Sequence, residues 1–380
     1  MKTFIKKHTS TFVMSIVLTV IIIFLIVISI LKNNVNIAES WTRTFGRWYT
    51  SSVGKVVDTI PFSLTESLLL ITIASCLIIL AWAFSLLGTK NYWGFANKLL
   101  MIGLVVVGTI TMYNASVGMG YHRKPLPIER YNGVIDSSKF KQIATYFVED
   151  YNKCADELNF NEQGEIIAPY SQKELINRLK TEFHKLDGND YFTEYTPTPK
   201  PMKTSGIFTT LSIVGVYFGV FGEVNYSTFA TNAELPFYIA HEMCHSKGVL
   251  REDDAQLLAF YVCITSADPY IRYSAYWNTI DRIINIASLS GNPDDYQEVK
   301  SLIGDKIRKN NSYIYKHWKG MTFLSDLGDK INDWYLRTFG QIGGTGAYND
   351  NDPTVDPGGH VIYLSNYQGI YFKIYYEENS

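Results

Sequence analysis

The beginning of the chain holds three long apolar stretches, and a more polar sequence rich in aromatic residues follows them. Residues 11–31 and 68–87 contain no charged side chain, and residues 95–113 contain only Lys98. A helix of about 20 apolar residues is long enough to span the hydrocarbon core of a bilayer. The pattern therefore predicts three transmembrane helices within a membrane region over residues 1–118.

The charges around the first apolar stretch predict its orientation. Lys2, Lys6 and Lys7 precede it, and the sequence after it offers no cleavage site of small residues. A basic N-terminus favours the cytoplasmic side, and an apolar segment without a cleavage site remains as an anchor. We therefore predict a multi-pass protein of the cell membrane in which everything after about residue 118 lies on the extracytoplasmic side.

The segment 119–380 combines helical and strand patterns. Apolar residues at helical spacing predict helices at 138–158, 171–186, 295–318 and 325–339. Ser171 and Glu174 form a capping box that opens the second of these. Residues 207–229 are rich in Val, Ile, Tyr, Phe and Thr, which predicts two or three short strands. The predicted fold class is α+β: three N-terminal transmembrane helices, then a mostly helical domain with a small β-sheet.

Composition narrows the range of partners. The net charge is −2 over 380 residues, and no basic run with interleaved aromatic residues is present, which argues against a nucleic-acid partner. The four cysteines are scattered, and Cys76 lies in a predicted membrane helix. The other three do not suggest a disulfide framework. The lipid bilayer and a substrate of the soluble domain are the expected partners.

The most informative stretch is His-Glu-Met-Cys-His at 241–245, which follows an apolar run at 235–240 that predicts a buried helix. On a helix, His241 and His245 lie at i and i+4, so both imidazoles project from one face and can share a cation. Two imidazole nitrogens bind Zn²⁺ well, and a catalytic zinc site adds a third protein ligand and an open position for water. Glu242 would then act on that water as general base.

The third ligand is expected in the acidic cluster that follows. In the related pattern H-E-x-x-H-x-x-G-x-x-H, Gly248 fits, but Arg251 stands at the last histidine position and cannot bind a cation. Glu252, Asp253 and Asp254 open the next predicted helix, and Gly248 can end the first helix and turn the chain back. We predict Glu252 as the ligand and Asp254 as the alternative. The residue that is not the ligand would orient a histidine, or would simply complement the helix dipole.

The residues around the motif, 239–260, resemble an uncharacterised family of bacterial membrane proteins with a gluzincin-type zinc peptidase signature, roughly H-E-x-x-H-x-x-G-x-x-R-E-D-E-A-N-F. Asp254 and Gln256 replace the second glutamate and the asparagine of that signature, whereas Glu252 is retained and is favoured as the ligand. Other matching stretches are 119–126, 221–225, 272–276 and 332–336. The resemblance extends from the first membrane helix to about residue 340. It implies a zincin-like metallopeptidase domain over 119–380 and gives no known substrate.

Two further roles are expected in such an enzyme. A zinc peptidase needs a donor for the oxyanion of its tetrahedral intermediate, and Tyr273 is the predicted donor, with Arg272 next and plain aromatic packing as the alternative for the tyrosine. An edge strand beside the motif helix would hold an extended peptide by strand addition, and residues 219–226 are the candidate strand. Glu223 within it is predicted to be either a partner of the metal site or a turn residue.

These residues predict a membrane-anchored, zinc-dependent metallopeptidase that hydrolyses a peptide or protein substrate. His241, His245 and Glu252 would hold Zn²⁺, and Glu242 would activate the water. Two alternatives stay open: a non-enzymatic membrane-anchored scaffold or sensor that retains the fold, and a zinc amidase acting on a component of the cell envelope. Glu242 favours an enzyme, because a structural zinc site needs no base. The motif lies far beyond the last predicted span, which argues against an intramembrane protease.

Overall fold

The chain divides into two compact units. The computed structural model describes residues 8–131, 139–341, 343–349, 354–355 and 361–379. Unit 1 comprises Met1–Lys124 and Phe218–Glu223, and unit 2 comprises Pro125–Tyr217 and Val224–Ser380. The boundary after Lys124 lies close to residue 118, where the sequence analysis ended the membrane region. The segment Phe218–Glu223 is distant in sequence from the rest of unit 1, and no local pattern assigns it there.

Unit 1 contains the three long apolar helices. In the described residues its α-helices are α1 (Thr9–Leu31), α2 (Val35–Trp41), α3 (Arg47–Asp58), α4 (Leu64–Gly88) and α5 (Tyr92–Ser116). The helices α1, α4 and α5 are long and apolar enough to cross a membrane, which confirms that part of the prediction. The side chains of Ser63 and Asn91 cap α4 and α5. Each of these helices therefore begins at its cap, a few residues before its apolar core.

A buried carboxylate holds the short helix α2 in unit 1. Glu39 accepts hydrogen bonds from Nη2 of Arg123 at 2.8 Å and from Nε of Arg43 at 2.5 Å. Burial alone would raise the pKa of Glu39, but the two guanidinium groups and the N–H of Lys124 lower it to about 2. A buried charge requires such partners. Glu39 thus connects α2 to the segment that follows α5.

The segment Phe218–Glu223 of unit 1 carries a second buried carboxylate. Glu223 accepts hydrogen bonds from the N–H groups of Leu64 at 3.0 Å and Thr65 at 2.7 Å, and also from the Thr65 hydroxyl. A carboxylate at a helix N-terminus pairs otherwise unsatisfied N–H groups and complements the helix dipole. Glu223 therefore caps α4. The sequence analysis did not consider this capping role.

Unit 2 is mostly helical. Its α-helices in the described residues are α6 (Phe140–Asp156), α7 (Gln172–His184), α8 (Ser205–Thr210), α9 (Leu235–Ser246), α10 (Glu252–Ile264), α11 (Pro269–Ile284), α12 (Asp295–Ser301), α13 (Asp305–Trp318), α14 (Ser325–Phe339) and α15 (Asn366–Asn379). The single helix predicted at 295–318 is two helices, because Gly304 adopts an extended conformation before α13. Aromatic packing joins distant helices in the core, where the ring of Phe147 lies 5.0 Å from Tyr276 and 4.8 Å from Tyr371.

A small sheet precedes the motif helix. Its strands are β1 (Lys200–Pro201), β2 (Gly215–Phe218) and β3 (Glu223–Tyr226), in the order β1-β3-β2, with β1 parallel to β3. The strand prediction for 207–229 is wrong at its start, where α8 forms, and confirmed after it. Because β3 has a neighbour on each side, the edge strand predicted at 219–226 is wrong, and β2 is an edge instead. A second, antiparallel pair consists of β4 (Thr354–Val355) and β5 (Val361–Tyr363).

Candidate metal centre

Helix α9 is the buried helix that was predicted for the motif. The turn before it is closed by Glu234, whose carboxylate accepts hydrogen bonds from the N–H of Thr231 at 3.0 Å and from the indole of Trp318 at 2.9 Å. Pro236 occupies the first turn, where its missing N–H costs no hydrogen bond. Gly248 follows the helix with φ of +88°, a conformation that favours glycine. The chain therefore turns back soon after the motif and enters α10.

Three side chains from α9 and α10 converge on one buried point. Nε2 of His241 lies 3.1 Å from Oε2 of Glu252, and Nε2 of His245 lies 3.5 Å from the same oxygen. The candidate ligand atoms of this buried group lie within 4.8 Å of one another, so that it could hold a metal ion. The structure thus brings together the two histidines and the glutamate that the sequence predicted.

His245 is oriented by the backbone that follows α9. Its Nδ1 lies 2.8 Å from the carbonyl oxygen of Val249. A carbonyl oxygen only accepts hydrogen bonds, so Nδ1 carries a proton, and loss of the other ring proton leaves the lone pair on Nε2. Metal-binding histidines commonly use their second nitrogen in this way, because the hydrogen bond fixes the ring. His245 is therefore arranged to offer Nε2 to a cation.

The spacing within the group fits a small cation with tetrahedral ligands. Metal–ligand bonds of about 2.0–2.2 Å place the ligand atoms of a tetrahedral zinc site about 3.4 Å apart. The observed separations of 3.1 Å and 3.5 Å lie on either side of this value. Two imidazole nitrogens and one carboxylate oxygen are also donors that suit zinc. The residues present therefore fit this ion.

The acidic neighbours of Glu252 have other partners. Asp254 forms an ion pair with Arg251, with Nε and Oδ2 2.7 Å apart. The amide of Gln341 accepts the backbone N–H of Glu252 at 3.0 Å and donates to Asp253 at 3.4 Å. Asp254, the alternative ligand, is thus engaged with Arg251. Of the acidic cluster, only Glu252 joins the histidines.

Burial and charge shift the pKa values of this group in opposite directions. Burial would raise the pKa of Glu252, but the charge of His245 and hydrogen bonds from both histidines hold it well below its usual range. Burial would lower the pKa of His245, but the Glu252 carboxylate raises it to about 9. Protons and a metal ion therefore compete for the same histidine nitrogens.

Glu242 lies on α9 and faces the edge strand β2. The backbone N–H of Tyr217 donates to its carboxylate, and burial raises the pKa of Glu242 above its usual value. A Cβ atom at Gly215 would lie only 2.5 Å from Oε1 of Glu242. The strand can therefore approach the carboxylate this closely only because residue 215 is glycine. Glu242 is held beside the ligand group without being part of it.

A tyrosine that the sequence analysis missed lies beside the metal centre. Tyr348 belongs to a 3₁₀ turn at Gly344–Asn349, and its ring lies 6.5 Å from that of His241. Burial and the nearby charge of Glu252 raise the pKa of Tyr348 well above its usual value. Tyr348 lies in a stretch rich in glycine and asparagine, which pattern alone predicts as a loop.

A protein-family model with the description "Protein of unknown function (DUF3810)" matches residues 41–351 of the chain. The chain belongs to the DUF3810 family. This confirms the predicted membership of an uncharacterised family, and the matched region includes the whole candidate metal centre of this DUF3810 protein. Comparisons of the chain with curated proteins and with solved structures find no match.

The structure of this DUF3810 protein places Tyr273 and Arg272 away from the ligand group. The hydroxyl of Tyr273 donates to Oδ1 of Asn310 at 3.0 Å, and its ring packs 5.0 Å from that of Tyr151. The guanidinium of Arg272 donates to the carbonyl of Ser266 at 3.0 Å. Tyr273 is therefore part of the aromatic core, with its hydroxyl already paired, instead of a donor at the metal centre.

Proposed function

We propose that this DUF3810 protein is a membrane-anchored, zinc-dependent metallopeptidase with a zincin-like domain. The proposal rests on the convergence of His241 and His245 on Glu252, with the carboxylate of Glu242 beside them and outside the ligand set. A structural metal site needs ligands alone. A separate, buried carboxylate next to three ligands is what hydrolysis requires of a general base.

Glu242 would carry the proton transfers of the reaction. When bound, Zn²⁺ would supply a Lewis acid that makes water acidic enough to lose a proton near neutral pH. Glu242 accepts that proton and then passes it to the amine that leaves the cleaved peptide bond. Because burial raises its pKa, Glu242 is a stronger base than an exposed carboxylate, and the N–H of Tyr217 fixes its position.

The edge of β2 supports a peptide substrate. The carbonyl of Val214 accepts the N–H of Ser227 at 2.8 Å and so points towards the β3 side. Successive residues of a strand point their backbone groups to alternate sides, so the two residues next to Val214 point theirs to the open edge of β2. This agrees with the hydrogen bond from Tyr217 to Glu242. An extended peptide that added to this edge would pair with Gly215 and with the carbonyl of Tyr217, and would lie next to Glu242.

We also propose that the metal centre lies on the extracytoplasmic side, because the basic N-terminus precedes three spans. Lys173 is exposed in α7, whereas Cys154, Cys244 and Cys263 are buried and should give little background labelling. An impermeant maleimide should label Lys173→Cys in intact cells. Labelling only after lysis would place the domain in the cytoplasm.

The metal content of the full-length protein in detergent tests the proposed function. We expect about one zinc ion per chain, lost in His241→Ala and retained in His184→Ala. His184 is a matched control, because it is an exposed histidine whose partner is Asp187. The metal-loaded wild type should hydrolyse peptides and His241→Ala should not. If the wild type takes up no zinc under metal-replete conditions, zinc-dependent hydrolysis is excluded and the scaffold or sensor alternative is favoured.

A further inference from the structure

The metal ligand Glu252 is the first residue of helix α10, at a position where helices fray most easily. The N–H groups of a first helical turn have no partner within the helix and need an acceptor from elsewhere. Arg251 stands at the N-cap of α10, but a guanidinium only donates hydrogen bonds. The side chain that precedes α10 therefore cannot cap the helix that carries the third ligand.

Gln341 supplies the acceptor from a distant part of the chain. Its Oε1 accepts the backbone N–H of Glu252 at 3.0 Å, and its Nε2 donates to Oδ1 of Asp253 at 3.4 Å. Because a carboxylate only accepts hydrogen bonds, Asp253 requires the N–H₂ end of the amide and leaves the amide oxygen for Glu252. Gln341 is 4% exposed, so water hardly competes for these bonds.

The end of helix α14 fixes the position of Gln341. Gly340 ends this helix in the left-handed conformation with φ of +111°, which favours glycine. The N–H groups of Gly340 and Gln341 donate to the carbonyl of Leu336 at 3.0 Å and 2.9 Å, and Leu336 is fully buried. The buried end of α14 thus holds the amide of Gln341 against the first turn of α10.

We propose that Gln341 is a positioning residue for the metal ligand Glu252, and that Asp253 acts through it by orienting its amide. The inference rests on the proposed function, since it assumes that the three-residue group holds Zn²⁺. Oε2 of Glu252 lies 3.1 Å from Nε2 of His241 and 3.5 Å from Nε2 of His245, so unwinding of the first turn would separate the carboxylate from both histidines. The hydrogen bond from Glu252 to Gln341 keeps this turn helical.

A second buried glutamine provides a matched control. Oε1 of Gln368 accepts the N–H of Ser365 at 3.2 Å, immediately before α15, and its Nε2 donates to the carbonyl of Arg282 at 3.0 Å. Gln368 is 1% exposed. Each amide thus pairs a backbone N–H at the start of a helix and donates to a second acceptor. The partners of Gln368 lie outside the candidate ligand group.

The apparent Zn²⁺ dissociation constant of the full-length protein in detergent, measured by competition with a chelating dye, tests this inference. Methionine has nearly the length of glutamine but lacks the amide. Gln341→Met should bind Zn²⁺ about 10-fold more weakly than wild type, at the lower end of the effect of ligand partners, because the bond reaches the backbone of the ligand. Gln368→Met should stay within about twofold of wild type, since it is independent of the metal centre.

An exchange of the amide and the carboxylate provides a rescue variant. Gln341→Glu combined with Asp253→Asn keeps the net charge and reverses the donor and the acceptor between the two side chains. A carboxylate oxygen at position 341 can still accept the N–H of Glu252. The combined variant should recover most of the zinc affinity that Gln341→Met loses. Gln341→Glu alone should recover less, because its carboxylate would face that of Asp253.

Thermal unfolding of the metal-free variants separates positioning from a general loss of structure. Gln341→Met and Gln368→Met should lower the unfolding temperature by similar amounts, while only Gln341→Met loses zinc affinity. Wild-type affinity in Gln341→Met, or equal losses of affinity in both methionine variants, would overturn the positioning role. A combined variant that binds zinc as weakly as Gln341→Met would overturn the action of the amide through its hydrogen bonds. Wild-type protein that binds no zinc would overturn the proposed function itself, and this inference with it.

Discussion

Both units bury carboxylates, but the two units surround them with different partners. In unit 1, Glu39 meets two arginines and Glu223 meets the first N–H groups of α4. In unit 2, Glu252 meets two imidazole nitrogens and Glu242 meets one backbone N–H beside them. Guanidinium and backbone N–H groups only donate hydrogen bonds, whereas an imidazole nitrogen can release its proton and bind a cation.

This difference shows that burial of a charged group does not by itself indicate a functional site. In unit 1, hydrogen-bond donors pair with the carboxylates, and these pairs stabilise the positions of helices. The carboxylates of unit 2 are surrounded by groups that can exchange a proton for a metal ion. The chemistry of the partners therefore distinguishes the two sets, and substitutions in each set should have different consequences.

The largest expected effect is the loss of hydrolysis in Glu242→Gln. The amide cannot accept the proton of water, and removal of a general base typically costs about 10²- to 10⁴-fold in rate. Zinc content should stay at the wild-type level, because Glu242 is not in the ligand group. The measurement is peptide hydrolysis by metal-loaded protein in detergent. Glu223→Gln is the control from unit 1, and equal losses in both variants would contradict the distinction between the two sets.

The second expected effect concerns the third ligand. Glu252→Gln should weaken zinc binding by more than the roughly 100-fold that loss of an outer partner costs, because it removes a charged ligand. Asp254→Asn should stay within about threefold of wild type, since Asp254 is paired with Arg251. Competition with a chelating dye measures both. A stronger loss in Asp254→Asn would transfer the ligand role to Asp254.

The residues that a local pattern specifies were predictable. The spacing of His241 and His245 follows from helix geometry, and Gly248 followed by an acidic first turn placed Glu252 near them. The three apolar helices follow from their length and composition. Glu252 was preferred over Asp254 before the resemblance strengthened that choice, but sequence spacing alone cannot show that Arg251 pairs with Asp254.

The residues that long-range packing positions were not predictable. The ring of Tyr348 lies 6.5 Å from that of His241, although its turn is more than one hundred residues later in the sequence. Tyr273 was expected at the site for its chemistry, but the aromatic core determines its position. The capping of α4 by Glu223 joins residues that are 159 and 158 positions apart, and no periodic pattern contains that information.

A smaller effect is expected from Gly215→Ala. The added Cβ atom would lie 2.5 Å from Oε1 of Glu242, so either strand β2 or the carboxylate must move. A displacement of about 1 Å at a catalytic group can cost up to about 100-fold in rate, and zinc binding should not change. The control is Gly206→Ala, whose Cβ atom would meet nothing closer than 3.9 Å. Full activity in Gly215→Ala would show that the site tolerates a different position of Glu242.

The smallest effect on activity is expected from Glu39→Gln in unit 1. The variant loses charged hydrogen bonds to Arg123 and Arg43, which should lower stability by about 1–3 kcal/mol. Zinc content and hydrolysis at neutral pH should match wild type, because Glu39 is neither a ligand of the metal centre nor the proposed base. Thermal unfolding in detergent measures the stability.

The pH dependence of this variant sharpens the comparison further. Folding lowers the pKa of Glu39 from its ordinary 4.5 to about 2, so its stabilisation is complete above pH 4.5 and is lost as the pH falls towards 2. The difference in unfolding temperature between wild type and Glu39→Gln should therefore be largest above pH 5 and should shrink on acidification. A difference that does not change between pH 5 and pH 2 would show that the charge of Glu39 contributes nothing, and that its partners in unit 1 act only by packing.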